Sequence, residues 1–80
     1  MQTIAVIAAN EKDFVRSVLG QETALSKYGG VLVNEFLYKP ISQEIQLKGI
    51  TLSGVMITEM AQQYPRLKQL FYETFKYIRI

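Results

Sequence analysis

Two short apolar runs constrain the fold of this chain most strongly, because each is apolar at successive positions and leads directly into a helix start. The first run covers residues 4–9 and is followed by Asn10; the second covers residues 55–58 and is followed by Glu59. A strand without alternation is buried on both faces, which is typical of a parallel sheet. Such sheets bind ligands at the carboxyl ends of their strands. The sequence therefore predicts where a site would lie without identifying its ligand.

The remaining pattern predicts three strands, over residues 3–9, 31–38 and 54–58, and three main helices. The helices cover residues 11–19, residues 43–48 and the last part of the chain. In this last part, one helical segment starts at residues 58–59 and a new helix begins at Pro65. Asn10 and Ser42 can cap the first two helices, and proline is favoured in a first helical turn. Gly20 and Gly49 suit the left-handed position after a helix. Residues 24–28 have the spacing of one further helical turn.

Right-handed crossovers between these strands predict an α/β fold with a mostly parallel sheet in the order 2-1-3. This is a minimal Rossmann-like arrangement with flanking helices, three-stranded or, if residues 78–80 add a strand, four-stranded. It forms one domain over residues 1–80. The polar residues Asn34 and Glu35 inside the second strand are typical of a sheet edge. Gly29 and Gly30 leave open an α+β alternative in which that strand runs antiparallel.

The absence of cysteine and histidine from the 80 residues excludes several function classes. Disulfides, thiolate nucleophiles, the usual zinc sites and Ser-His catalysis all need one of these residues. We therefore expect a non-enzymatic protein with no catalytic residue, metal or cofactor. No apolar run approaches the roughly 20 residues of a membrane span. The amino terminus lacks the pattern of a signal peptide, so we expect a cytoplasmic protein without membrane contact.

One route to catalysis without histidine is a magnesium ion held by carboxylates. Glu35, Glu44 and Glu59 would form such a group if they met at the carboxyl ends of the second and third predicted strands. The three positions are spread over 25 residues, and any three carboxylates in so short a chain lie near one another in a sketch. We expect no metal site here.

Residues 47–59 combine a Leu47-Lys48-Gly49 turn, an apolar strand and a final Thr58-Glu59 pair. This segment resembles the Walker B region of P-loop ATPases, particularly the terminase-type packaging motors of phages. The resemblance implies that Glu59 matches the glutamate that polarises the attacking water, while Thr58 stands where the family has its magnesium-ordering aspartate. It covers 13 of 80 residues, and the chain has no Walker A loop. It implies a shared local topology rather than ATP hydrolysis.

The whole chain also resembles the small single-domain α/β proteins that phages carry in accessory regions. That resemblance implies a non-enzymatic protein that binds a host or phage protein and modulates its activity. The last helix carries more apolar area than one buried face needs, and interfaces favour tyrosine and methionine. We expect a partner, or a second copy in a homodimer, to contact Met60, Tyr64, Tyr72 and Tyr77.

The alternative is an accessory domain that binds a nucleotide or nucleic acid through the strand-end loops. Its site would comprise Asn10, Lys39, Thr58 and Glu59. From residue 60 onward the chain has four basic residues and one acid, beside several aromatic residues. Basic and aromatic side chains together suit single-stranded nucleic acid if the rings are exposed.

Overall fold

A four-stranded mixed sheet lies between two α-helices in the computed structural model, which describes residues 2–19, 30–33 and 35–78. The strands are β1 (Gln2–Ile7), β2 (Val31–Val33), β3 (Phe36–Pro40) and β4 (Gly54–Ile57), and the α-helices are α1 (Glu11–Leu19) and α2 (Pro65–Thr74). Three short 3-10 helices cover Glu44–Leu47, Ala61–Gln63 and Phe75–Tyr77. The prediction of a small α/β domain is confirmed.

The central strand β1 is the most deeply buried element. Ala5, Val6 and Ile7 have no exposed surface, as expected for an apolar run without alternation. Val6 packs with Phe14 of α1 on one face of the sheet. Ala5 and Ile7 pack on the other face, in a cluster that includes Leu67 of α2. The two helices therefore cover opposite faces of β1.

The predicted mostly parallel, Rossmann-like order 2-1-3 is wrong. The observed order is β2-β3-β1-β4, in which β1 pairs in parallel with β3 and β4, while β2 pairs with β3 in antiparallel fashion. The predicted strand 31–38 is two strands, because the chain reverses between Val33 and Phe36 with Glu35 in the turn. A polar pair between two apolar runs is a hairpin signal, which we interpreted as an edge within one strand.

Gly30 explains how β2 can enter the hairpin beside β3. A Cβ atom at this position would lie 2.4 Å from the backbone oxygen of Tyr38, too close for any side chain. Glycine is therefore required where the two backbones approach. The antiparallel alternative that Gly29 and Gly30 left open is confirmed for β2 alone, since β3 remains parallel to β1.

The predicted helix starts are confirmed at both α-helices. Helix α1 begins at Glu11 after Asn10, whose Oδ1 accepts a hydrogen bond from the Asp13 amide at 2.8 Å. Helix α2 begins with Pro65 in its first turn, and the segment before it is the 3-10 helix Ala61–Gln63. The short predicted helix over 43–48 is the 3-10 helix Glu44–Leu47.

The predicted Ser42 cap is wrong. The Oε1 atom of Gln46 reaches back and accepts hydrogen bonds from the amides of Ser42 and Gln43, at 2.7 and 2.9 Å. The residue at the N-cap is Gln43, and the Gln46 side chain satisfies the amides that precede the helix. Gly49 has a φ of 77°, the left-handed conformation expected after this helix.

The structure describes only some of the segments for which the sequence made a prediction. Ile78 forms an isolated parallel bridge with Leu52, and residues 79–80 lie outside the described residues. Gly20 and the helical turn predicted at 24–28 also lie outside them. Among the helices that are described, none is both long and apolar enough to cross a membrane.

Candidate functional site

A buried polar cluster lies where β1 and β4 end. Asp13 and Thr58 retain only 8% and 5% of their surface exposed. Asp13 Oδ2 accepts a hydrogen bond from the Thr58 hydroxyl at 2.5 Å and another from the Ala9 amide at 2.8 Å. The Thr58 hydroxyl in turn accepts from the Ala61 amide at 3.0 Å. The cluster thus joins the end of β1, the start of α1 and the segment after β4.

This cluster is internally satisfied rather than open to a ligand. Within the described part of the chain, no buried side-chain nitrogen or oxygen lacks a hydrogen-bond partner. The hydroxyl of Thr58, which stands at the aspartate position of the Walker B resemblance, is engaged by Asp13 and Ala61. The cluster therefore holds three chain segments together.

The predicted strand-end site is assembled only in part. Asn10, Thr58 and Glu59 follow β1 and β4 at the carboxyl edge of the sheet, whereas Lys39 is the second-last residue of β3 and lies level with Ala5, two residues before the end of β1. The exposed acids at this edge are Glu11 and Glu59, beside the buried carboxyl of Asp13. Negative side chains there oppose a phosphate at the start of α1. Exposed basic residues, Lys12, Arg16 and Arg66, lie at the same edge, so its charge is mixed.

The three glutamates considered for magnesium do not converge. Glu35 precedes β3 and Glu59 follows β4, and because these strands run in the same direction the two residues lie at opposite edges of the sheet. Glu44 accepts a hydrogen bond from the Tyr77 hydroxyl at 3.3 Å. Among the residues described, no three acids, cysteines or histidines are grouped as metal ligands.

A shallow pocket of about 280 Å³ lies beside the same edge, between the ends of β1 and β3. Ala8, Ala9, Pro40 and Ile41 make most of its wall apolar. Its polar lining residues are Asn10, Glu11, Ser42 and Gln46. Small-molecule sites combine an apolar wall with polar groups directed at the ligand. Here the side-chain oxygens of Asn10 and Gln46 already accept backbone hydrogen bonds.

The second candidate site is a group of three aromatic rings at the carboxyl end of α2. The rings of Phe71 and Phe75 pack edge to face with centroids 5.0 Å apart, and Phe71 also contacts Tyr72 at 5.6 Å. Phe71 is half-buried and packs against the core. Tyr72 and Phe75 are 62% and 50% exposed. We call these three residues the aromatic platform, because a core-anchored ring supports two solvent-facing ones.

Lysine side chains flank the aromatic platform. Lys68 lies one turn before Tyr72 and Lys76 one turn after it, and both are exposed. Lys68 and Tyr72 lie one turn apart on α2, and Phe75 and Lys76 follow its last residue, Thr74, in the 3-10 helix Phe75–Tyr77. We call these four exposed residues the α2 outer face. The nearby Glu73 is half-buried and accepts a hydrogen bond from the Gln69 side chain.

The four predicted partner-binding residues fall in different places. Tyr72 lies on the α2 outer face. Tyr64 is 52% exposed, but it lies beside Ala9 at the strand edge, and the exposed Met60 lies there too, near Asn10. Tyr77 is half-buried and donates its hydroxyl hydrogen to Glu44. The four residues thus form two separate exposed groups and one internal contact, and their role in binding a partner stays a prediction.

The environment of Tyr77 also changes its acidity. Desolvation raises the pKa of the Tyr77 phenol above its ordinary value of 10.0, and the charge and hydrogen bond of Glu44 raise it further, followed by the charge of Glu73. All of these favour the neutral phenol. Tyr77 thus acts as a hydrogen-bond donor to the short helix Glu44–Leu47.

Phe75 is the platform residue that the sequence pattern placed incorrectly. Its spacing of eight and four residues from Leu67 and Phe71 is typical of the buried stripe of a helix. The buried residues of the helix are Leu67, Leu70 and Thr74, and Phe75 lies beyond the margin of their stripe. The chain also tightens into the 3-10 helix Phe75–Tyr77 at this point. A stricter helical wheel, centred on these three residues, would have placed Phe75 beside Lys68.

Comparison of the chain with protein-family models, with curated proteins and with solved structures finds no match. The functional conclusion therefore depends on the geometry of the two candidate sites. One is an internally satisfied polar cluster, and the other is an exposed, core-anchored group of aromatic rings.

Proposed function

We propose that this protein is a non-enzymatic binding module that recognises another protein through the α2 outer face. The observation that carries the proposal is the exposure of Tyr72 and Phe75 on a helix whose opposite side is buried in the core. Two large rings held in water lose favourable apolar burial unless a partner covers them. Both rings contact Phe71, which packs against the core. This contact restricts the two side chains and so lowers the conformational entropy that is lost on binding.

The arrangement of the α2 outer face matches the anatomy of a protein interface. Such interfaces have an aromatic centre that carries most of the binding free energy and a polar rim. Here Tyr72 and Phe75 form the centre, and Lys68 and Lys76 lie on the rim. The residue types of the chain support a binding role as well, because cysteine and histidine are absent. A phage-type accessory protein that modulates a cytoplasmic target is the biological setting we propose.

The direct experiment is affinity capture from the cells in which the protein functions, with immobilised wild type and two variants. Tyr72→Ala removes the centre of the α2 outer face. Tyr64→Ala is the matched control, because Tyr64 is similarly exposed but lies about 12 Å along the helix axis, at the strand edge. We expect a protein that is retained by wild type and Tyr64→Ala and lost by Tyr72→Ala.

The opposite pattern would contradict the proposal. A protein lost by Tyr64→Ala and retained by Tyr72→Ala would place the binding site at the strand edge, with Met60 and Ala9. Circular dichroism of both variants checks that neither change unfolds the chain, since both side chains are more than half exposed.

A further inference from the structure

We infer that the partner segment bound by the α2 outer face is an acidic amphipathic helix. The inference rests on the proposed function and specifies the chemistry of the partner. Lys68 and Lys76 lie four residues before and four residues after Tyr72, and none of the four residues of the α2 outer face is an acid. Potentials across a specific interface are complementary, so a positive rim selects a negative partner.

The positive charge of the protein is concentrated in the region of α2. Residues 65–80 contain four basic residues and one acid, whereas residues 1–64 contain five basic residues and six acids. The net charge of +2 therefore comes entirely from the last 16 residues. Among the described residues, no carboxylate forms a salt bridge with Lys68 or Lys76.

The same charges oppose a dimer through this face. In a two-fold pairing of two α2 helices about Tyr72, Lys68 of one copy lies opposite Lys76 of the other. An isologous contact repeats each such pairing twice. Like charges placed directly opposite one another are destabilising. A second copy is thus a poor occupant of the α2 outer face.

A protein segment fits the α2 outer face better than a single-stranded nucleic acid does. Nucleic-acid sites combine stacking rings with a positively charged groove that follows many phosphates. Here two lysines flank a convex helix face, and the whole chain carries a net charge of only +2. Two charges at the rim of an aromatic centre are instead typical of a protein interface.

The spacing of the two lysines indicates the form of the partner. Lys76 lies eight positions after Lys68, which corresponds to about 12 Å along a helix. A second helix with an apolar residue at its centre and a carboxylate one turn to each side presents the matching pattern. Packed against α2, it would cover Tyr72 and Phe75 and place each carboxylate beside a lysine.

The test uses two synthetic 16-residue helical peptides that differ only in charge. Both have leucine at the centre; one has glutamate one turn to each side, and the other has lysine there. Amide NMR titration of the full protein gives the dissociation constant and identifies the residues that shift. We expect the acidic peptide to bind, with the largest shifts in residues 68–76.

Charge reversal then tests the pairing directly. The double variant Lys68→Glu/Lys76→Glu should bind the acidic peptide at least about tenfold more weakly and should gain affinity for the lysine peptide. The matched control Arg16→Glu/Lys48→Glu changes the net charge equally at exposed positions outside α2. It should alter the affinity for the acidic peptide by less than about threefold.

The outcomes separate the inference from the proposed function. If both peptides bind equally well and only Tyr72→Ala weakens them, the acidic partner is overturned and the proposed function stands. If neither peptide shifts the amides of residues 68–76, the inference and the docking of amphipathic helices on this face are both overturned. If a 15-nucleotide oligothymidine binds these residues more tightly than the acidic peptide, a nucleic-acid partner replaces the protein one.

Discussion

A hydrogen bond between the side chains of Thr58 and Asp13 connects two distant segments at the carboxyl edge of the sheet. The pair connects residues 45 positions apart, and each side chain also satisfies a backbone amide of its own segment. A buried hydrogen-bonded pair of this kind is costly to break, because the remaining group keeps its desolvation penalty. The pair therefore stabilises the carboxyl edge of the sheet, the place where parallel sheets commonly bind ligands.

We predict that Thr58→Val lowers the free energy of unfolding by about 1–3 kcal/mol, because it leaves the Asp13 carboxyl and the Ala61 amide each without one partner. Urea denaturation of wild type and variant measures the change. Thr51→Val is the control, since Thr51 is exposed and should change stability by less than about 0.5 kcal/mol. Equal effects of the two substitutions would contradict a structural role for the pair.

Tyr77 provides a pH-dependent test of the contact between the last 3-10 helix and Glu44. Because folding raises the pKa of this phenol above 10.0, its contribution to stability is present below pH 10 and is lost as the pH rises through the folded pKa. We predict that Glu44→Gln lowers the pKa of Tyr77 without returning it to 10.0, since desolvation remains. NMR titration of the tyrosine ring carbons measures it, and Glu59→Gln should leave the value unchanged.

At the scale of elements, local signals predicted the helices better than the strand pairing. Asn10 and Pro65 mark helix starts through interactions within one turn, and both starts are confirmed. The prediction of a single strand over residues 31–38 was wrong, because the apolar residues of this segment are the same whether the chain continues or reverses at Glu35. The choice depends on pairing with β1, a contact distant in sequence.

Glycine substitutions test the hairpin at this scale. Gly30→Ala should lower the free energy of unfolding by about 2 kcal/mol or more, because its Cβ would meet the Tyr38 backbone oxygen, which cannot move aside. Gly49→Ala meets no atom within 4 Å and should lower it by about 1 kcal/mol through its positive φ alone. Urea denaturation ranks the two. A smaller effect at Gly30 would contradict the close approach of β2 and β3.

At the scale of the whole molecule, the sequence predicted that surplus aromatic surface would lie on the last helix, and Tyr72 is indeed exposed there. It did not predict that Tyr64 and Tyr72 belong to different surfaces, because that depends on how α2 lies across β1 and β4. The strand-end site was only partly predictable for a similar reason. Asp13 occupies that edge through a hydrogen bond with Thr58, 45 residues away, and no local pattern in the sequence indicates such a contact.

The charge distribution gives the whole molecule two different ends. The sheet edge carries the exposed acids Glu11 and Glu59 together with the basic residues Lys12 and Arg16, whereas the α2 outer face carries Lys68 and Lys76 and no acid. The acidic partner that we propose would therefore be attracted to the α2 outer face. Recognition by the α2 outer face is the claim on which the functional account depends.

The measurement that tests this claim most directly is calorimetric titration of the captured partner with wild type, Tyr72→Ala and Tyr64→Ala. We predict that Tyr72→Ala weakens binding by at least about 2 kcal/mol, as expected for a central aromatic residue, and that Tyr64→Ala changes it by less than about 0.5 kcal/mol. Equal affinities for Tyr72→Ala and wild type would contradict the claim that the α2 outer face is the binding surface.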